Sequence, residues 1–208
     1  MKKIKIKICG KNNPAIIEHC LSIGVNQQGL IFYDKSPRNL DNDTLRIIHQ
    51  YFQQFQDIFV GVFVNPTLEE IEEKLNIYNF QTIQLHGNEN QELINKIKSQ
   101  FQKKIYKSIS PKEFKVTTLK NIDRFLIEAK PDLKDQPGGN NKIWNWSNFE
   151  NPYNQPFILS GGLNQQNIME AIDLTRAEFV DINSGVEETK GEKSLSLIDS
   201  LISSLKSK

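Results

Sequence analysis

The chain has 208 residues, enough for one domain with a full hydrophobic core, and its 26 basic and 25 acidic side chains nearly cancel. No basic block is present, so no nucleic-acid partner is expected, while a small phosphorylated ligand held by a few backbone amides stays open. The two cysteines, Cys9 and Cys20, make no disulfide framework, no zinc-type ligand spacing occurs, and no apolar run nears the ~20 residues of a membrane span.

The opening MKKIKIKICG alternates lysine with isoleucine and lacks the continuous apolar core of roughly 7–15 residues that a signal peptide needs. A cytoplasmic protein with no membrane association is the expectation. Over 4–9 the same alternation reads as a strand. NPAIIEHCLSIG follows as a helix with a glycine stop, and Cys20 belongs to its core face among Ile16, Ile17 and Ile23. GLIFY reads as a buried strand, LDNDTLRIIHQYFQQF as a helix and IFVGVFV as a strand. PTLEEIEEKLNIY aligns Leu68, Ile71, Leu75 and Tyr78 on one face behind a capping box of Thr67 and Glu70. FQTIQL (strand), NQELINKIKSQF (helix), KKIYKSI (strand) and PKEFKVTTLK (a poor helix) come next. IDRFLIE is the sixth strand; a loop with one weak turn leads to PFILS, the seventh. NQQNIMEAIDL is a helix and AEFVDI the eighth strand. A last helix puts Leu195, Ile198, Ile202 and Leu205 together.

Alternation of this kind argues for a parallel sheet, and eight units of roughly 26 residues predict a single-domain (β/α)8 TIM barrel over residues 1–208. The doubly wound alternative would need a G-x-G-x-x-G after an early strand, which is missing. Active-site groups of a barrel lie at strand C-termini and in the following loops. That rule selects Cys9, the segment 33–38, Asn65, His86, Lys107, Glu128, the segment 160–162 and the segment 181–185.

Cys9 is either a small strand-closing residue or, at a barrel mouth beside a lysine, a thiol able to take a proton. The glycines of SGG and INSG let a phosphate approach the backbone after strands 7 and 8. Arg38 is either a solvated surface side chain or a fork for a carboxylate. Gln84 and His86 share one barrel face by strand alternation, and His86 is either a structural or a catalytic histidine.

KICG (7–10), GLIFYDKSPR (29–38), VGVFVNPTLEEI (60–71), QLHGNE (84–89), FILSGGLNQQNIMEAI (157–172) and VDINSGVE (180–187) together resemble the phosphoribosylanthranilate isomerase family of tryptophan biosynthesis. The resemblance implies an Amadori rearrangement of an aminoaldose phosphate to an aminoketose phosphate. No cofactor and no metal are expected. The partner is a small phosphorylated substrate, and the chain would be a monomer or a homodimer. The resemblance makes Cys9 the general base and places Arg38 against the anthranilate carboxylate. It implies Gln84, His86 and Asp181 as further substrate-binding residues, and Gly161, Gly162, Ser184 and Gly185 as phosphate contacts. Glu128 falls where the family carries its general acid, usually an aspartate. The extra methylene moves the carboxyl by roughly 1.5 Å, and a shift near 1 Å can lower a rate about a hundredfold. To donate a proton near neutral pH, Glu128 is expected to be raised by desolvation beneath the segment 129–146, with Asp132 or Asp135 as substitutes. Asn141, Asn145 and Asn183 are further departures from the family pattern. Two alternatives stay open: a related histidine-pathway isomerase, whose class has aspartate where this chain has Cys9, and a barrel that binds a sugar phosphate without turning it over.

Overall fold

Eight parallel strands close into one ring, in chain order, in the computed structural model, which describes residues 3–10, 13–129 and 143–206. They are β1 Lys5–Cys9, β2 Gln27–Phe32, β3 Phe59–Phe63, β4 Thr82–Leu85, β5 Lys104–Ile109, β6 Arg124–Ile127, β7 Phe157–Leu159 and β8 Phe179–Ile182. The helices are α1 Pro14–Ser22, α2 Asn42–Phe52, α3 Leu68–Ile77, α4 Gln91–Phe101, α5 Pro111–Phe114, α6 Ile168–Thr175 and α7 Leu195–Lys206. The predicted barrel is thus the fold. Asp132, Asp135 and Asn141 lie outside the described residues.

Local chemistry sets the element starts. Asn13, Asp41, Thr67, Asn90 and Ser110 each accept a backbone N–H at a helix N-terminus, and Thr67 with Glu70 forms the expected capping box. Ser110 and Glu113 make a second one, yet α5 stops after a single turn. The β-branched run Val116, Thr117, Thr118 follows it and disfavours helix. Sequence periodicity did not foresee an antiparallel hairpin after β8, β9 Glu187–Thr189 with β10 Glu192–Lys193, because strands this short carry no readable period.

Both faces of every barrel strand are covered, so alternation here sorts side chains between two buried layers rather than between core and water. In β1, Ile6 and Ile8 pack outward in a cluster with Ile16 and Cys20 of α1 and Ile198, Leu201 and Ile202 of α7. The inner layer holds Cys9, Ile31, Val60, Val62, Tyr106, Leu126, Ile158 and Phe179. Lys7 is fully buried in the same alternation as Cys9. Between β3 and its helices, Gly61 makes room for Phe80: a Cβ there would lie 2.4 Å from Phe80 Cε2. Phe80 in turn packs on Phe32 and Phe63.

Gly61→Ala should therefore overpack this layer and destabilise the protein by about 1–3 kcal/mol. Urea unfolding measures it; an unchanged midpoint would show that the Phe80 ring moves aside freely.

Candidate active site

Cys9 ends β1 and stands directly opposite Gly29 of β2 in the strand register. A Cβ on Gly29 would fall 2.5 Å from Cys9 Sγ, so the bare backbone of β2 creates the volume the thiol occupies. Two residues back on the same strand face, Lys7 Nζ donates to Asp181 Oδ1 at 3.0 Å, the two residues being register partners across β1 and β8. Burial alone would pull Lys7 down, but Asp181 and Cys9 hold it above the ordinary lysine value. Burial pushes the Cys9 thiol up, against the pull of the Lys7 and Lys193 cations. Lys7 escaped the sequence reading; once Cys9 is assigned inward, the two-residue period assigns Lys7 inward as well.

Glu128 is the first residue past β6, and its Oε1 lies 2.6 Å from His86 Nε2. Ser108 Oγ, from β5, donates to the same oxygen at 2.7 Å. The imidazole nitrogen's N–H is not well aligned on the carboxylate, yet the approach is close enough for each group to shift the other's protonation. On the far side of the ring, Gln84 Nε2 sits 3.1 Å from His86 Nδ1. The expectation of a raised Glu128 carboxyl is overturned. Burial does push it up, but the His86 charge and the Ser108 hydrogen bond override burial and bring it below the ordinary value. Burial pulls His86 down, and the Glu128 charge reverses that, leaving the imidazole above its ordinary value.

The loop carrying His86 is fixed by Glu89, a residue that strand-end reasoning missed. Its carboxylate accepts Asn65 N at 2.9 Å, Gly87 N at 2.9 Å and Lys107 Nζ at 2.9 Å. Asn65 and Lys107, both strand-end candidates, are thus tied to the loop framework. Gly87 has no room for a side chain, since a Cβ would lie 2.3 Å from Asn65 Oδ1.

Arg38 is buried and already forked. Its Nε and Nη2 donate to the two oxygens of Glu187 at 2.7 Å each, while Nη1 has no acceptor among the described residues. Lys193 Nζ also bonds Glu187, and reaches Asn183 Oδ1 at 2.7 Å. Two cations against one carboxylate leave a net positive charge. Burial pushes Glu187 up, but the Arg38 and Lys193 partners take it down to about 2; burial brings Lys193 down to about 8, against the pull of Glu187. The sequence had no means of pairing Arg38 with a residue 149 positions away.

The loops after β7 and β8 meet backbone to backbone: a Cβ on Gly185 would fall 1.9 Å from Leu163 O. Gly161 and Gly162 have φ of 89° and 66°, which only glycine adopts without strain. The N–H groups of Gly161, Gly162 and Gly185 meet no acceptor among the described residues. Ser184 opens a 3-10 turn, Ser184–Val186. Asn145 caps the turn Trp146–Asn148 by accepting Ser147 N at 3.0 Å, a bond an aspartate would make equally. Among the described residues no three His, Cys, Asp or Glu side chains group as a metal site requires, and no helix is long and apolar enough to cross a membrane.

A closed (β/α)8 barrel whose one rim gathers a thiol, a carboxylate–imidazole pair and paired glycine loops has the groups that acid–base chemistry on a small molecule uses. The model of the N-(5'-phosphoribosyl)anthranilate isomerase family matches residues 6–204. An N-(5'-phosphoribosyl)anthranilate isomerase of Sinorhizobium fredii is 33% identical, covering 98% of this chain and 94% of its own. Monomers generated from a dimeric phosphoribosylanthranilate isomerase of Thermotoga maritima share the fold with a TM-score of 0.79 at 28% identity, over 99% of this chain and 100% of theirs. A phosphoribosylanthranilate isomerase in complex with reduced 1-(o-carboxyphenylamino)-1-deoxyribulose 5-phosphate matches with a TM-score of 0.75 at 27% identity, over 99% of this chain and 100% of its own. The chain belongs to the phosphoribosylanthranilate isomerase family and is an isomerase of tryptophan biosynthesis.

The depressed Glu187 carboxyl has a stability consequence with a definite sign. The unfolded carboxyl, near 4.5, binds its proton before the folded one, near 2, so Glu187 contributes fully above pH 4.5 and loses that contribution as pH falls toward 2. The lost contribution is on the order of 3 kcal/mol. Glu187→Gln should flatten the fall in stability across that window, measured by urea midpoints at stepped pH. An acid profile as steep as that of the unmodified protein would contradict the pairing.

Proposed function

We propose that the chain, a single barrel domain, converts N-(5-phosphoribosyl)anthranilate to 1-(2-carboxyphenylamino)-1-deoxyribulose 5-phosphate, with Cys9 as base and the Glu128 end of the site as acid. The observation that carries this reading is the placement of a buried thiol at the end of β1 and of a largely enclosed carboxylate–imidazole pair, 11–12% exposed, at the ends of β6 and β4, on the same rim. The acid end protonates the furanose ring oxygen, the ring opens, and the anilino nitrogen's lone pair forms the Schiff base. Cys9 thiolate then takes the C2 proton, and the enolamine becomes the ketone by gaining a proton at C1 and losing one from O2. The oxidation of C2 and the reduction of C1 balance within the substrate and are carried by proton transfers, so the chemistry calls for neither an external redox cofactor nor a metal.

The spare positive charge of Arg38 and Lys193 beside Glu187 suits the anthranilate carboxylate, which would meet the Nη1 side of Arg38. The open N–H groups of Gly161, Gly162 and Gly185, with the Ser184 turn beside them, suit the phosphate. Gln84, His86 and Asp181 are the further residues this reading assigns to substrate contact. The substrate is a small phosphorylated molecule in the cytoplasm, and the chain acts as a monomer or a homodimer.

Conversion is followed directly by the change in anthranilate fluorescence. Cys9→Ala should remove nearly all turnover and leave product binding measurable, whereas Cys20→Ala, altered on the helix side of β1, should keep turnover. Arg38→Ala loses a charge-assisted bond worth ~1.5–3 kcal/mol and should weaken product binding about ten- to hundredfold. Near-normal turnover in Cys9→Ala would overturn the assignment of the base.

A further inference from the structure

We propose that the proton given to the ring oxygen is carried by His86 at Nε2, with Glu128 as the residue that positions and charges the imidazole. The inference rests on the site reading above, which puts the acid at the β6 end, and it names a different atom as the donor. Three geometric observations carry it. Glu128 Oε1 lies 2.6 Å from His86 Nε2, so a carboxylate charge there acts directly on the imidazole. Ser108 Oγ–H donates to that same Oε1 at 2.7 Å, which favours the ionised carboxylate over a carboxyl whose O–H would compete for the position. The Nε2 N–H, buried and beside the carboxylate, is not aligned on any acceptor among the described residues, so it is the donor left to be used.

Gln84 supplies a fourth. Its Oε1 is buried with no partner, while its amide nitrogen faces His86 Nδ1. The two ends of an amide are assigned by their hydrogen bonds, and turning this one over presents Oε1 to an Nδ1–H. An imidazolium, protonated at both nitrogens, needs that acceptor.

The charged groups facing His86 agree. Glu128 on the β6 side and Asp181 on β8 favour the cation, and Lys107 on β5 opposes it. Lys7 on β1 acts on Glu128 by favouring its ionised form. The extra methylene of glutamate therefore does not have to bring a carboxyl to the substrate, only to His86. The step balances without another reactant. His86 Nε2–H passes its proton to the ring oxygen, whose bond to C1 breaks with the electron pair going to oxygen. The O2 proton released as the ketone forms restores the imidazolium.

The chain has three histidines, His19, His49 and His86, so ring nitrogen resonances of the 15N-labelled full chain can be assigned with one variant, His86→Gln. In the unmodified protein His86 should stay doubly protonated to a pH above the ordinary ~6.5, and in Glu128→Gln it should titrate below that value, since burial and Lys107 then outweigh Asp181. His86→Gln should lower kcat by about 10²–10⁴-fold with KM changed only severalfold. A His86 ring that is neutral at pH 6.5 in the unmodified protein would overturn the proposal, as would a folded His86→Gln variant with normal kcat. If Glu128→Gln is then inactive while His86→Gln turns over normally, Glu128 is itself the donor and only this inference falls. If both variants turn over normally, the acid end has been misplaced and the site reading falls with it.

Discussion

Charges enclosed at the mouth of this barrel have little water to lean on, so each must find an opposite charge within reach. Lys7 has Asp181, His86 has Glu128, Lys107 has Glu89, and Arg38 with Lys193 encloses Glu187. Removing one member of such a pair leaves the other buried and unmatched, typically at a cost of about 3–5 kcal/mol. Because the partners come from different strands, the pairs also lock the strand ends against one another. Lys7 links β1 to β8, and the cluster of Ser108, Glu128 and His86 links β5, β6 and the end of β4. A rim fixed in this way holds its side chains in place before any ligand arrives, which is the condition under which buried dipoles and charges act most effectively.

The pairing also divides the labour of the site. On the β1 side burial dominates and the thiol is held high, which makes its thiolate a strong base once formed. On the β6 side the pair dominates and the proton is drawn toward the imidazole. From one common constraint the thiol and the imidazole are both held above their ordinary values and the carboxylate below its own: the imidazole keeps its proton, while the thiol has less thiolate but a more basic one. The third cluster does something else: Arg38 and Lys193 outnumber Glu187, and the excess charge is available to an anionic ligand.

How much of this was legible in the sequence follows from the range of the forces involved. The barrel was legible because strand and helix periods are local, and because Thr67 with Glu70 announces its helix within four residues. Cys9, Arg38, His86 and Glu128 were legible as strand-end residues, since the architecture sends strand C-termini to a single rim. Their partners were not. Lys7 sits in an alternation that in a half-exposed strand would point lysine at water; here the lysine side is the inside. The Glu128 carboxyl was expected to rise, and it falls because His86 and Ser108 arrive from β4 and β5, a register that no single segment encodes. Gly29 reads as an ordinary strand glycine until the pairing of β1 with β2 sets it opposite the thiol.

The central claim is that base and acid face one substrate from the β1 and β6 ends of the rim. A crystal structure of this chain with a reduced, unreactive aminoketose phosphate tests it most directly. The account predicts the sugar C2 nearest Cys9 Sγ, the hydroxyl derived from the ring oxygen facing His86 and Glu128, and the phosphate on the backbone of Gly161, Gly162 and Gly185. A sugar bound the other way round, with Cys9 against the phosphate or with Glu128 and His86 out of contact with the ligand, would contradict it.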